Sequence, residues 1–210
     1  MKRHLFLQGN IGIGKSTLIQ KTILPHINDV GGYFVQRIYL KENQEKFTGF
    51  AVKPLESDKE YQLNSHVNKL TDVKGLFLFC NSKGIWEQIP LAFIQAATCF
   101  LKTSLLHGKK LILMDELGGM ELQDKAFSDM VFHFLDENIP VLGVLKSPVN
   151  IEKLLKAVGE KDDTIFEGML HRYDKIKNHK ETELMMVCGT ADSFVEKRLR
   201  MFIKGIFDRE

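Results

Sequence analysis

The sequence predicts an α/β fold in which a mainly parallel sheet carries helices on both faces and an inserted antiparallel hairpin. Three observations predict it. Short aliphatic runs alternate with amphipathic stretches through the second half of the chain. A glycine-rich turn joins the first apolar run to the first helical stretch. Residues 33–53 have the aromatic and β-branched texture of two paired strands. Strands alternating with helices form βαβ units, whose parallel sheet needs cover on both faces.

The elements follow in chain order. His4 to Gln8 reads as a short buried strand running into the glycine-rich turn. From Lys15 to Leu24, Leu18, Ile19 and Ile23 recur at helical spacing, and Pro25 stops the helix. After Gly31-Gly32, the runs Tyr33–Leu40 and Phe47–Lys53 flank five polar residues at 41–45, a hairpin arrangement. Pro54 to Lys74 is polar and weakly patterned and reads as a loop, and Gly75 to Cys80 reads as a strand. Ile89, Phe93, Ala96, Ala97, Phe100 and Leu101 mark one helix face, which Gly108 ends. Leu111 to Met114 is a strand leading straight into Asp115-Glu116. Leu122, Ala126, Phe127, Met130, Val131 and Phe134 form a helical stripe facing the core. Val141–Leu145 is the next strand, Ile151–Val158 a helix and Thr164–Phe166 a last short strand. Phe194, Leu199, Phe202 and Ile206 mark a closing helix. No boundary divides residues 1–210, so one domain is expected, with a helical extension over about 167–210.

Composition excludes several classes. With 44% apolar and 27% charged residues the chain can bury a core, which argues against disorder and fibrous repeats. Twenty-nine basic against 27 acidic residues leave a net charge of +2, too balanced to point to nucleic acid or an anionic membrane. Cys80, Cys99 and Cys188 have neither disulfide nor zinc-site spacing. The basic start Met1-Lys2-Arg3-His4 is followed by too short an apolar run for a signal peptide, and no stretch is long enough to span a bilayer. A reducing, cytoplasmic setting is expected; the sequence gives no sign of an oligomeric state.

Gly9-Asn10-Ile11-Gly12-Ile13-Gly14-Lys15-Ser16 fits G-x-x-x-x-G-K-[ST] at every fixed position, between an apolar strand and a helix. The glycines let the backbone curl so that successive N–H groups point inward at phosphate oxygens, and the helix N-terminus adds partial positive charge. Thr17 follows at the same helix start. Lys15 is then placed for the β- and γ-phosphates and the Ser16 hydroxyl for Mg²⁺. The expected ligand is a nucleoside triphosphate. Leu111-Ile112-Leu113-Met114-Asp115, four aliphatic residues ending in an acid, has the form of a Walker B strand, with Asp115 the second metal-holding residue. Glu116 then falls where a carboxylate can orient or deprotonate an attacking water.

Met114-Asp115-Glu116-Leu117-Gly118-Gly119-Met120-Glu121-Leu122 resembles the D-E-[IL]-G-x-M-E-L signature of the cancer-related and thermophilic nucleoside-triphosphatases, small P-loop enzymes. The opening strand, P-loop and helix, the Gly31-Gly32-Tyr33-Phe34 segment with Gly49-Phe50, and the strand at Pro140–Val144 fall in that family's order. The resemblance covers residues 1 to 166 or so. It implies a RecA-like sheet of additional-strand type and hydrolysis of several nucleoside triphosphates. It also implies Gly14, Lys15 and Ser16 on phosphate and metal, Asp115 on metal and Glu116 as base. Two departures stand out: Val35-Gln36-Arg37 replaces a Thr-x-Glu, and Gly143-Val144-Leu145-Lys146 replaces a strand ending in Thr-x-His.

Lesser candidates remain. Arg37 and Arg172 are possible arginine fingers, Lys146 is either a phosphate sensor or a solvated lysine, and Glu121 is expected to fix the loop after Asp115-Glu116. The stretch His171–Lys177 reads as a solvated charged face rather than a nucleic-acid patch. Two other functions use the same loop: a nucleotide or nucleoside kinase, and a nucleotide-dependent switch with slow hydrolysis. Kinases often cluster arginines, whereas this chain has six, of which Arg198, Arg200 and Arg209 lie in the closing helix or tail.

Overall fold

A computed structural model describes residues 2–55, 61–189 and 192–208; Met1, residues 56–60 of the expected loop and Arg209 lie outside them. Layering starts with β1 (His4–Gln8), which is buried along its whole length. Successive strand side chains point to opposite faces, so Leu5 and Leu7 enter one core and Phe6 the other. α1 (Lys15–Ile23) runs into a 3-10 turn at Leu24–Asp29, where Pro25 occupies a first-turn position that has no use for an N–H.

β2 (Val30–Leu40) begins before Tyr33, because its first residues form the parallel core. Val30–Tyr33 pair with β7 (Leu111–Leu117), and Tyr33–Ile38 pair antiparallel with β3 (Gly49–Pro54). The expected hairpin is present, and its first strand is the outer half of a core strand. Gly32 makes the close approach possible: at φ +94, a Cβ there would lie 2.0 Å from the Leu113 carbonyl oxygen.

The expected loop holds a strand. β4 (Asn64–Val67) pairs in parallel with Arg37–Leu40 of β2. Its residues alternate exposed and half-buried and are mostly polar, so no apolar period marks it. β5 (Leu76–Cys80) and the unforeseen β6 (Trp86–Gln88) extend the antiparallel edge. α2 (Ala92–Leu106) starts three residues after Ile89, behind Pro90 and a left-handed Leu91. β7 runs through Asp115-Glu116 instead of ending before them. Leu122 lies in a 3-10 turn (Met120–Gln123) ahead of α3 (Lys125–Asp136), and Ala126 faces outward. β8 (Val141–Leu145) and α4 (Pro148–Ala157) follow.

Thr164–Phe166 are not a strand. They form the first turn of α5 (Asp163–Lys177), which Asp162 caps by accepting from the Thr164 amide. The expected helical extension in turn contains β9 (Thr182–Met186), which pairs in parallel along all of β1. α6 (Ser193–Phe207) buries Val195, Leu199, Phe202 and Ile203, while Phe194 points to solvent.

The nine-stranded sheet has the order β6-β5-β3-β2-β7-β8-β1-β9, with β4 also on β2. From β2 to β9 it is parallel, and the antiparallel strands lie beyond β2. α1 and α6 cover one face, while α2, α3 and α5 cover the other. β8 stands between the glycine-loop strand and the Asp115 strand, the additional-strand arrangement that the family resemblance implies. Among the described residues no helix is long and apolar enough to cross a membrane.

Candidate active site

The loop at residues 9–14 turns at the carboxyl end of β1, with Gly9, Gly12 and Gly14 at positive φ. Gly14 caps α1 in the left-handed conformation. Lys15 is buried and its ammonium donates to the carbonyls of Gly9 (3.0 Å) and Asn10 (2.7 Å). Burial lowers its pKa, against the pull of Glu116 and Asp115 in the other direction. Asn150, on the first turn of α4, donates from Nδ2 to the Gly9 carbonyl at 3.3 Å.

The strand order brings the acids to this loop. Ser16 Oγ lies 3.1 Å from Asp115 Oδ1 across 99 residues of sequence. Asp115 is 1% exposed, and its other oxygen accepts from the Val35 amide at 3.2 Å. That amide falls in the gap where β2 has left β7 and has not yet met β4. Burial and the neighbouring Glu116 carboxylate push the Asp115 pKa up to about 7, against the Val35 and Ser16 hydrogen bonds. Two buried phenols, Tyr33 and Tyr61, feel Asp115 electrostatically and have no hydrogen-bond partner among the described residues; burial above all holds both protonated.

Glu116 is half-buried and adopts φ 61, a left-handed conformation in a non-glycine residue. Lys146 fixes it there. Its ammonium lies 3.2 Å from Glu116 Oε2 and also donates to the Glu116 carbonyl, while its own amide donates to Leu117 at 2.8 Å. The alternative of a solvated lysine is thus corrected, because the Lys146 side chain is only 20% exposed. Burial alone would lower its pKa, but Glu116, Glu121 and Asp115 outweigh it and the net shift is upward. Glu121 accepts from the Gly118 and Gly119 amides at 2.9 and 2.6 Å, which ties down the turn that follows.

These groups border a cavity of about 850 Å³ that also takes in Arg37, whose guanidinium has no hydrogen-bond partner among the described residues. Arg172 is elsewhere. It lies on α5, and its guanidinium donates to the Gly168 carbonyl of its own helix at 3.2 Å. The residues that sequence reasoning missed are Asn150, the Val35 amide and Gln8. Gln8 donates to the Tyr173 hydroxyl at 2.9 Å and so links α5 to the start of the loop. A lone amide side chain, or a backbone amide in a strand gap, leaves no pattern in a sequence.

The donor set suits a hard divalent cation. Ser16 and Asp115 offer oxygens only, and among the described residues no group of three His, Cys, Asp or Glu side chains forms a closed metal cage. Mg²⁺ typically takes one or two protein oxygens and completes its shell with phosphates and water.

Comparison with known proteins identifies the family and the fold. A family model described as NTPase matches residues 4–180. The chain is similar to the nucleoside-triphosphatase THEP1 of Thermotoga maritima, at 25% identity over 78% of this chain and 84% of the relative. It is also similar to the cancer-related nucleoside-triphosphatase homolog of Bos taurus, at 29% identity over 87% of this chain and 98% of the relative. Among solved structures, that of a human cancer-related nucleoside triphosphatase superposes with a TM-score of 0.59 at 20% identity, covering 99% of both chains. THEP1 from Aquifex aeolicus superposes with a TM-score of 0.58 at 18% identity, over 96% of this chain and 99% of that one.

Proposed function

The chain belongs to the NTPase family, and from that premise we propose that it hydrolyses nucleoside triphosphates, ATP among them, to the diphosphate and phosphate in a Mg²⁺-dependent reaction. The observation that carries this reading is the 3.1 Å approach of Ser16 to Asp115, with Glu116 one residue on and Lys15 one residue back. It supports the reading by bringing the P-loop and the acid-terminated strand together.

In this reading the amides of residues 9–17 cradle the polyphosphate, and the Lys15 ammonium leaves its loop carbonyls for the β- and γ-phosphate oxygens. Ser16 and Asp115 would hold Mg²⁺, which would supply positive charge to neutralise the phosphate oxygens. The Glu116 carboxylate takes a proton from a water in line with the γ-phosphorus. Lys146 is a positioning residue that holds this carboxylate near its working place, and Arg37 is a further cation on the same wall. Arg172 is given no part: it does not line the cavity, and its guanidinium donates to its own helix.

A phosphate-release screen over ATP, GTP, CTP and UTP, with and without Mg²⁺, tests the reading. Release is expected with Mg²⁺ and is expected to stop when the metal is chelated. If none of the four releases phosphate, or if chelation changes nothing, the reading is wrong.

A further inference from the structure

The cavity at the P-loop continues beyond the acids. Its far wall is built from Phe47 and Phe50 on and beside β3, Phe77 on β5 and Trp86 on β6, all half-buried. Their rings touch one another: Phe47 and Phe50 are 5.1 Å apart between centroids, Phe47 and Trp86 5.9 Å, and Phe50 and Trp86 5.8 Å. The apolar strand β5 is half-buried at all five positions, so among the described residues no side chain of it is fully covered. Arg37, with no hydrogen-bond partner among the described residues, lines the same space.

Strand order fixes where this wall stands. β3, β5 and β6 lie on the β2 side of β7, whereas the P-loop follows β1 on the opposite side. The aromatic wall therefore faces the P-loop across Asp115 and Glu116. If Glu116 is the base, the γ-phosphate points toward this wall and the nucleotide's own base points away from it. The inference rests on that part of the proposed function.

We propose that the aromatic end of the cavity is a second ligand site, which binds a flat ring-bearing alcohol of the nucleoside class as a phosphoryl acceptor. The ring stacks among Phe47, Phe50 and Trp86, because every nucleobase offers a π-face to such a platform. Its hydroxyl reaches the place that water takes in hydrolysis. The Glu116 carboxylate accepts the hydroxyl proton as the acceptor oxygen forms its bond to the γ-phosphorus. The bond from the γ-phosphorus to the bridging oxygen breaks, and its electron pair leaves with the nucleoside diphosphate. The products are a phosphate monoester and the diphosphate, with one proton passed from Glu116 to solvent. A concave site continuous with the P-loop fits a small molecule of this kind better than a flat protein partner.

Trp86 is the only tryptophan, so its emission reports on this wall. With the P-loop saturated by MgADP, adenosine, guanosine, cytidine and thymidine are titrated in turn. Saturable quenching is expected for at least one, with a Kd raised about tenfold or more in Phe50→Leu, which keeps bulk and removes the ring. With γ-labelled ATP and that nucleoside, label is expected in a nucleoside monophosphate. The proposal is overturned if quenching fails to saturate for all four, if Phe50→Leu leaves the Kd unchanged, or if label enters inorganic phosphate alone. A response to MgADP that removes the nucleoside response gives the wall to the nucleotide's own base and overturns the proposal too. Hydrolysis measured without nucleoside separates these failures from a failure of the proposed function.

Discussion

Glu116 occupies a left-handed backbone conformation that costs a non-glycine residue free energy, and the Lys146 ammonium grips both its carboxylate and its carbonyl. Replacing Lys146 with Met is therefore expected to lower turnover by roughly 10- to 100-fold, with a smaller change in nucleotide affinity. Separate measurement of kcat and of nucleotide Kd checks this, and an equal loss in both would assign Lys146 to binding instead. His4 supports a second prediction at this scale. Its Nε2 pairs with the Leu135 carbonyl at 2.9 Å and its Nδ1 with the Val141 amide at 3.2 Å, an arrangement that needs the neutral ring. Burial above all, with His179 and Arg3 nearby, lowers its pKa from 6.5 to about 4, against the pull of the Leu135 carbonyl and Glu181. The unfolded chain thus takes up a proton as pH falls below about 6.5 while the folded chain does not, so stability is lost across the window from 6.5 to 4. Between pH 7 and 5 the loss from this group is about 2 kcal/mol, and urea unfolding of wild type against His4→Gln reads it as a pH slope the variant lacks. Residues with fixed spacing, Lys15 and Ser16 above all, were legible in the sequence. The partners of Lys146 and His4 were not, since they depend on which strand lies beside which.

Elements with strong periods or terminators were legible for a physical reason. β1, α1, β8 and α3 carry their own signal in apolar alternation, aliphatic runs or a 3.6-residue stripe. β4 and β6 carry none, being four and three residues long and largely polar, and they are held by register on β2 and β5. β9 mixes Thr and Glu with methionines, so only its pairing along β1 reveals it. Thr164–Phe166 misled through β-branched and aromatic residues, because the Asp162 cap commits them to a helix. Capping gives a prediction at this scale. Asp124 accepts from the Phe127 amide at 2.8 Å at the start of α3. Asp124→Ala is expected to cost about 1 kcal/mol of stability, read from the denaturant midpoint; an unchanged midpoint would show that this cap is dispensable. Gly32→Ala is expected to be far worse, since its Cβ would strike the Leu113 carbonyl of the neighbouring strand β7.

Across the whole molecule, the sheet turns two distant sequence motifs into one site. β8 separates β1 from β7 by a single strand, which lets Ser16 reach Asp115. The motifs announced this convergence, because a P-loop and an acid-terminated strand have few ways to serve one ligand. The aromatic wall stayed hidden, as its rings come from separate strands whose order no local pattern encodes. The most direct measurement of the central claim is single-turnover phosphate release from MgATP by Glu116→Gln, alongside its nucleotide affinity. The account predicts affinity close to wild type and release slowed by about 100-fold or more. Release at the wild-type rate would contradict it.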